Sequence, residues 1–482
     1  MRSKPSISAF RPLPMVAVAS SVFLAACAST APHGVSDSRV NIPKQWQQSE
    51  KTDGVVRTKE SLSRWWTLFN DPILDKLITE GLNDSPDMLT AISRVMEARA
   101  QSNVTRASLF PSLTVGAGAG ASNTRNRRTD SSDGSNSFTS SLDASWEIDL
   151  FGKLRQELES SKATLAETEE NFRAAQASLS AEIATAYVTL RTYEVKYEIT
   201  QRDLAIQEET LELTRFKAQS GDVSDFDVQS ALASIEQTRA SLPTLDHNIT
   251  TSRNQLATLI GETPGELDTL LGHSTIIPNA PAYISAGIPA ETLLQRPDVR
   301  AAQYNVAAAL ANMKASERER LPSLTLSGSI GSTAYEAGDF FDPEQIASKA
   351  LASLTAPIFN SGKIRQQIAI SREQAKQAIY AYETALLTAL SDVENALSYN
   401  KSSNTRITSL EKAVIASTEA HKLAKMQYEA GSADITTLLS AESSLLAARL
   451  QKASAQQEMA TAQIQLFKAL GGGWTREIPT NQ

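Results

Sequence analysis

Chemistry in this 482-residue chain would have to start from four histidines (His33, His247, His273 and His421), one cysteine (Cys27) and many acidic side chains. A metal centre or a nucleophilic triad needs such groups gathered at particular spacings. The histidines are scattered, with no ligand or triad spacing among them. One cysteine can make neither an internal disulfide nor a thiolate cluster. Gly116-x-Gly118-x-x-Ala121 follows the strand-like Leu113-Thr114-Val115 and fits a loose dinucleotide fingerprint. That fingerprint needs a helix next, because the helix N-terminus holds the pyrophosphate. Polar Ser122 to Ser135 follows instead, and small residues in a sheet wall explain the pattern better. No phosphate-binding loop of the Walker type is present, and the acidic pairs on the helices fall at solvated heptad positions. The expectation is a chain with no enzyme activity, cofactor or metal.

Cys27 has a different setting. Arg2, Lys4 and Arg11 make a basic start, Leu13 to Ala26 is largely apolar, and Leu24-Ala25-Ala26-Cys27 closes the segment. The apolar run is too short to span a bilayer and reads as a signal peptide over 1–26. The small pair before Cys27 resembles a bacterial lipobox, so Cys27 is expected to carry a covalent lipid and to begin the mature chain. Ala28 stands where Asp would signal inner-membrane retention, which points to the outer membrane. Removal of 1–26 takes away three positive charges and no negative ones. The formal charge of -8 becomes about -11. A mildly acidic chain without a Lys/Arg stripe excludes a nucleic-acid partner. Composition (41% hydrophobic, 21% charged, 6% aromatic) suits long helices packed on small side chains, and the length allows two to four domains.

No later stretch approaches 18 uninterrupted apolar residues, so a membrane-spanning part must be a closed β-barrel. The chain also repeats itself. Pro86-Asp87 recurs at Pro297-Asp298, Pro111-Ser112-Leu113-Thr114 at Pro322-Ser323-Leu324-Thr325, Gly221 at Gly431, and Gln255-Leu256 at Gln465-Leu466. All are offset by about 210 positions. Two copies of one unit are expected, 85–261 and 296–471. Around them lie an N-terminal segment (27–84), a linker (262–295) and a tail (472–482). Each unit has a first helix (86–108, 297–320), two alternating segments and a long helix (152–219, 362–429). A Gly-centred turn and a helix of intermediate length (222–260, 432–470) follow.

The long helix of the first unit shows its period plainly. Leu158, Leu165, Phe172, Leu179, Ala186 and Tyr193 are seven apart, as are Ile183, Leu190, Tyr197, Leu204 and Leu211. Such stripes want a neighbouring helix along about 100 Å. The second unit's stripe is weaker, with Ile379, Leu386 and Val393 as its best run. The two shorter helices of each unit together match the long one. They are expected to stack end to end beside it, with the non-repeating pieces forming a belt at mid-height.

Strands are expected at 111–124, 136–150, 322–334 and 348–360, with 123–137 and 332–348 as polar loops. Leu142, Ala144, Trp146, Ile148 and Leu150 alternate with Ser141, Asp143, Ser145, Glu147 and Asp149. Period-two alternation over about ten residues marks a transmembrane barrel with a wet interior. Four strands are too few to close one, since known barrels need about eight or more. Several chains must contribute, and arithmetic allows two, three or more. Asp143, Glu147 and Asp149 are the expected lumen residues, and they favour cations in transit. The rival is a structural coiled-coil lipoprotein, which explains the heptads but not the alternating segments.

Trp65-Trp66-Thr67-Leu68-Phe69-Asn70-Asp71-Pro72-Ile73-Leu74 resembles the opening motif of the outer membrane factors of the TolC/OprM/NodT type. Arg296-Pro297-Asp298-Val299-Arg300-Ala301-Ala302, running on to Leu321-Pro322-Ser323-Leu324, is similar to their second-repeat motif. The resemblance covers essentially everything from the lipobox to Gly473. It implies an α+β membrane protein and a homotrimer. Four strands per chain would build a 12-stranded β-barrel, continued by a 12-helix periplasmic α-barrel with a mixed equatorial domain. It implies a periplasmic adaptor and an inner-membrane pump, by default of the RND type, with small-molecule efflux as the function. A protein-secretion or metal-ion duct stays open as an alternative.

In this family the constriction lies at the periplasmic helix tips, here Gln219 to Asp227 and Glu429 to Ile435. The resemblance makes Gly221 and Gly431 the adaptor contacts. Relatives of the OprM type carry an Asp and an Arg where this chain has Ser440 and Ser443. Gate candidates are therefore Asp222, Asp225, Asp434 and Glu442 for charge, and Leu438 or Leu439 for an apolar collar.

Overall fold

The structure is a computed structural model and describes residues 39–47, 62–126, 131–280, 289–339 and 342–475. Cys27 and the expected signal peptide lie outside the described residues. Among those described, no helix is long and apolar enough to cross a membrane.

Two helices dominate the molecule, α3 (Lys153–Gln219) and α8 (Lys363–Glu429), each 67 residues. At 1.5 Å per residue each is about 100 Å long. The heptad stripes hold them in place: Phe172, Leu179, Ile183 and Leu190 on α3, and Leu386 and Val393 on α8, are all buried. Helix α2 (Pro86–Ala107) packs on the upper half of α3, and α4 (Asp225–Ile260) on its lower half. The second repeat does the same with α7 (Pro297–Arg318) and α9 (Ile435–Ala469) against α8. The stacking is direct. Gly261, just past α4, has so little room that a Cβ would lie 2.9 Å from Pro86 Cδ, and Gly471, past α9, abuts Arg296. Helices α7 and α9 also pack on α3, which joins the repeats. Ser160 Oγ donates to Ala308 O at 2.9 Å, and Arg300 pairs with Glu170 at 2.6 Å.

The non-repeating pieces gather at mid-height. Trp65 and Trp66 open a 3-10 turn (Trp65–Phe69), and α1 (Pro72–Asp84) follows, with Asp71 capping Ile73 and Leu74. Trp65 is fully buried and stacks on Phe467 with ring centroids 5.3 Å apart. Tyr187, midway along α3, donates to Asp71 at 2.8 Å. Helix α5 (Asp268–Leu271) is held through Arg191, which donates to Leu271 O, and α6 (Pro289–Gln295) leads into α7. Residues 39–47 lie along α8, with Arg39 on Tyr380 and Glu383, and the Gln47 backbone N–H on Glu394. This is the equatorial belt.

One antiparallel sheet, ordered β1 (Ser112–Asn126), β2 (Ser131–Ile148), β3 (Ser323–Ala334) and β4 (Ile346–Thr355), caps the helices. Three expectations change here. The first hairpin is paired through Asn126↔Ser131, so most of the polar stretch 123–137 is strand rather than loop. Backbone pairing tolerates polar side chains as long as the register holds. β4 stops at Thr355 instead of reaching 360, because Pro357 has no N–H to donate. β2 stops at Ile148 instead of 150, where Asp149 turns to cap the next helix.

Candidate functional site

Register sorts the sheet into two faces. Val115, Leu142 and Ile330 share one cross-strand row, and Ile148, Leu324 and Leu354 another. Val115, Leu354, Ile330 and Leu142 on this face are all exposed. On the opposite face Thr114, Asp143, Ser329 and Lys349 share a row, and Glu147, Thr325 and Ser353 the next but one. A largely exposed apolar face and a hydroxyl-rich face behind it fit a wall between fat and water. The outer edges of β1 and β4 have no partner strand among the described residues.

Asp143 and Glu147 are exposed on the polar face, and Asp143 accepts from Ser141 at 2.7 Å. Lys349 shares the Asp143 row; alternation puts this positive charge on the polar face, and only the register sets it in line with Asp143. Asp149 does not line the sheet. Its carboxylate accepts from the Leu154 and Arg155 backbone N–H groups and from Arg155 Nε at 3.0 Å, capping α3. A carboxylate at a helix N-terminus is stabilised there.

At the far end both long helices close in the same way. Gly221 (φ 79°) and Gly431 (φ 73°) follow the C-caps in the left-handed region, which a Cβ disfavours. Asp222 N–H returns to Lys217 O at 2.9 Å, and Ser432 N–H to Gln427 O at 2.9 Å. These 6→1 bonds use up helix-end carbonyls. Ser224 and Asp227 form a capping box for α4. Asp434 caps α9, its Oδ1 accepting from Thr437 N–H and from the Thr436 and Thr437 hydroxyls. The Thr437 hydroxyl most of all, then its N–H and the Thr436 hydroxyl, holds the Asp434 carboxyl below its ordinary value. Asp222 and Asp225 are exposed at the first tip.

Two gate candidates are misplaced for lining an aperture. Leu438 is fully buried among Ala424, Tyr428 and Ile435. Glu442 is 2% exposed and takes a hydrogen bond from Thr210 at 2.6 Å. Both fall on the α9 stripe that packs inside the chain, so neither side chain is free. Leu439 is half-buried. Ser440 and Ser443 are exposed, with Thr436 a turn before them. The exposed face of the second tip carries hydroxyls where charges were sought.

Sequence reasoning missed the contacts that join the two tips. Lys217 Nζ donates to Tyr428 O at 2.7 Å and Glu429 O at 3.3 Å, and lies 4.9 Å from the Tyr428 ring centroid. Tyr428, 1% exposed, donates to Thr214 Oγ1 at 3.0 Å. A Lys in the last turn usually serves its own helix end. Here two helix C-termini finish side by side, and one cation serves the neighbour's carbonyls. Only the basic last turn hinted at this.

Solved outer-membrane channels share this architecture. OprN, described as an outer-membrane channel, superposes with a TM-score of 0.84 at 30% identity over 90% of this chain and 97% of its own. Pyoverdine export outer membrane protein OpmQ of Pseudomonas putida is 29% identical over 467 residues, 95% of this chain and 97% of OpmQ. Nodulation protein T of Rhizobium leguminosarum bv. trifolii is 30% identical over 414 residues, 85% of this chain and 88% of that protein. The sequence pattern of the outer membrane efflux protein family matches twice, over residues 77–262 and 288–472. The chain belongs to that family, and it is an outer membrane efflux protein.

Proposed function

We propose that three copies of this chain form one passive export duct. Their sheets join into a 12-stranded barrel and their helices into a 12-helix barrel below it. The carrying observation is the four-stranded sheet with two unpaired edges, exposed apolar residues on one face and hydroxyls on the other. An edge left open on an apolar sheet is an aggregation hazard that closure removes. The helices agree: α8 exposes Ile370, Leu387, Ile415 and Leu423, and α2 on the opposite flank exposes Leu89 and Val104. Neighbouring copies would cover both flanks.

Cys27 is the proposed lipid anchor. About 12 residues separate it from Arg39, a stretch that spans up to about 40 Å. Arg39 is fixed on Glu383, about 20 residues and so about 30 Å below the sheet end of α8. The tether is long enough to return to the membrane level.

A periplasmic adaptor is proposed to dock at the Gly221 and Gly431 tips, with an inner-membrane pump of the RND type supplying the energy. Small molecules are the proposed cargo, as OpmQ's name connects that relative with pyoverdine. The gate in this reading is the Lys217–Tyr428–Thr214 contact between the repeats, with exposed Asp222 and Asp225 at the mouth. Purified full-length protein should run as a trimer and give discrete conductance steps in a planar bilayer. A monomeric rod that passes no current refutes the reading.

A further inference from the structure

Above the tips, titratable side chains from three helices gather between the repeats, Asp203 and Glu442 buried and His421 half-buried. Glu442 of α9 is 2% exposed, and its Oε1 lies 3.7 Å from His421 Nε2 of α8. Asp203 of α3 is also 2% exposed and accepts from Gln207 Nε2 at 3.3 Å. Glu442 Oε2, His421 Nε2 and Gln207 Oε1 are buried without a hydrogen-bond partner. Buried polar atoms are nearly always paired, and three orphans in one cluster call for an explanation. An ionised carboxylate can only accept, whereas a protonated one also donates, and Gln207 Oε1 is an acceptor.

We propose that Asp203, His421 and Glu442 form a proton-operated clasp, which holds the two repeats' hairpins together when the carboxyls are protonated and lets them part when they ionise. The inference rests on the tip-gated channel proposed above and adds a regulator to it.

The surroundings of Glu442 support this. Helix α3 brings Asp203, and its Glu209 engages Lys425 at 3.6 Å. Helix α8 brings His421 and Lys425, and Arg449 of α9 acts on Asp203 and His421. Helix α4 contributes apolar Val228, Ala231, Leu232 and Ile235 to the cluster that Leu439 joins. Burial is the largest influence on each group. It pushes Glu442 from 4.5 up to about 7, with Thr210 and Lys425 opposing and Asp203 assisting. It pushes Asp203 from 3.8 up to about 6 against Arg449, and holds His421 below 6.5.

Parting the helices would return each group to its ordinary value. The closed clasp therefore holds an extra proton on Glu442 between pH 4.5 and about 7, and one on Asp203 between pH 3.8 and about 6. His421, whose value burial lowers, works against this by tending to give up its proton on closing. Net uptake on closing favours the closed form at about pH 5.5 over pH 8. The open-to-closed ratio changes by up to about tenfold per pH unit for each net proton.

Spin labels on full-length protein carrying Ser220→Cys and Ser432→Cys, one on each tip, read the clasp directly. The label distances should be short and narrow at about pH 5.5 and longer or broader at pH 8. Glu442→Gln, neutral at every pH, should keep the short distribution at pH 8, and Asp203→Asn should move the transition partway. Bilayer open probability should rise about tenfold or more over the same range in the parent, and by clearly less in Glu442→Gln, where Asp203 alone of the two carboxyls still titrates. Distances that ignore pH, or a Glu442→Gln variant that opens like the parent, overturn the clasp. A protein with shifting distances but no conductance keeps the clasp and refutes the channel.

Discussion

Replacing Lys217 tests where the entrance is held shut. Its ammonium group donates to Tyr428 O and Glu429 O and sits over the Tyr428 ring. Hydrogen bonds from charged donors contribute about 1.5–3 kcal/mol, and a cation over an aromatic ring about 0.5–1 kcal/mol at exposed sites. Lys217 is half-buried, so the lower end applies. Lys217→Met keeps the stem and should cost about 2 kcal/mol of inter-repeat contact per chain, roughly a 30-fold shift toward parted tips. If three chains open together the shifts multiply.

Two assays read this out. Single-channel recordings of Lys217→Met should show a larger, longer-lived open level than the parent. Cells expressing it should become sensitive to a large hydrophilic antibiotic that the outer membrane normally excludes. Lys217→Arg, which retains charge and donors, should stay near the parent, and trimer yield should be unchanged in both. A tight channel and resistant cells with Lys217→Met refute the lock, and the constriction must then be sought at Asp222 and Asp225.

Further outcomes follow from the sheet, the tips and the anchor. Asp143 and Glu147 on the polar face should make the parent only weakly cation-selective, because Lys349 offsets Asp143 in the same row. Lys349→Gln should strengthen that selectivity and Asp143→Asn weaken it, measured as reversal potentials across a salt gradient. Gly431→Ala meets no atom within 4 Å, so its only cost is the positive φ, about 1 kcal/mol. A bulkier Gly431→Trp should retain conductance while losing adaptor binding in a pull-down; unimpaired binding would remove this tip from the interface. Cys27→Ala should abolish the acyl mass on the mature N-terminus in mass spectrometry, and an unmodified parent would end the lipoprotein reading.

The long elements were legible because their signals are periodic. Seven-residue spacing on α3 marked it as one long helix, since a stripe from Leu158 to Leu211, inside the observed Lys153–Gln219, has no other way to be buried. The sheet faces followed from period-two alternation, although Leu351 shares the polar row of Ser327 and breaks the pattern. Strand ends were less legible because they depend on single residues. Pro357 ends β4, and Asp149 leaves the wall because a helix start lies within its reach. Side-chain roles at the tips were the least legible. Leu438 and Ser440 are two residues apart on one helix, yet one is core and the other faces out. Which stripe of α9 turns inward is set by α3 and α8, more than a hundred residues away for the former.

The exposed stripe of α9 at the second tip carries Ser440 and Ser443 rather than charges. With Ser440 and Ser443 there, facing hydroxyls offer weak, neutral contacts that water can replace at little cost. In the gate proposed above the holding contacts lie one layer inward, between the chain's own repeats, where Lys217 donates to the carbonyls of α8, Tyr428 to Thr214, and Thr210 to Glu442. Buried contacts gain from exclusion of water and lose more when one partner is removed. Salt should therefore do little to this entrance, because Lys217 donates to neutral carbonyls rather than to an opposite charge, and the other two contacts are buried. Raising salt from about 0.1 to 1 M, which shortens the screening length from about 10 to 3 Å, should leave the open probability near its starting value. An entrance that opens steeply with salt would place its hold on the exposed acids Asp222 and Asp225 instead.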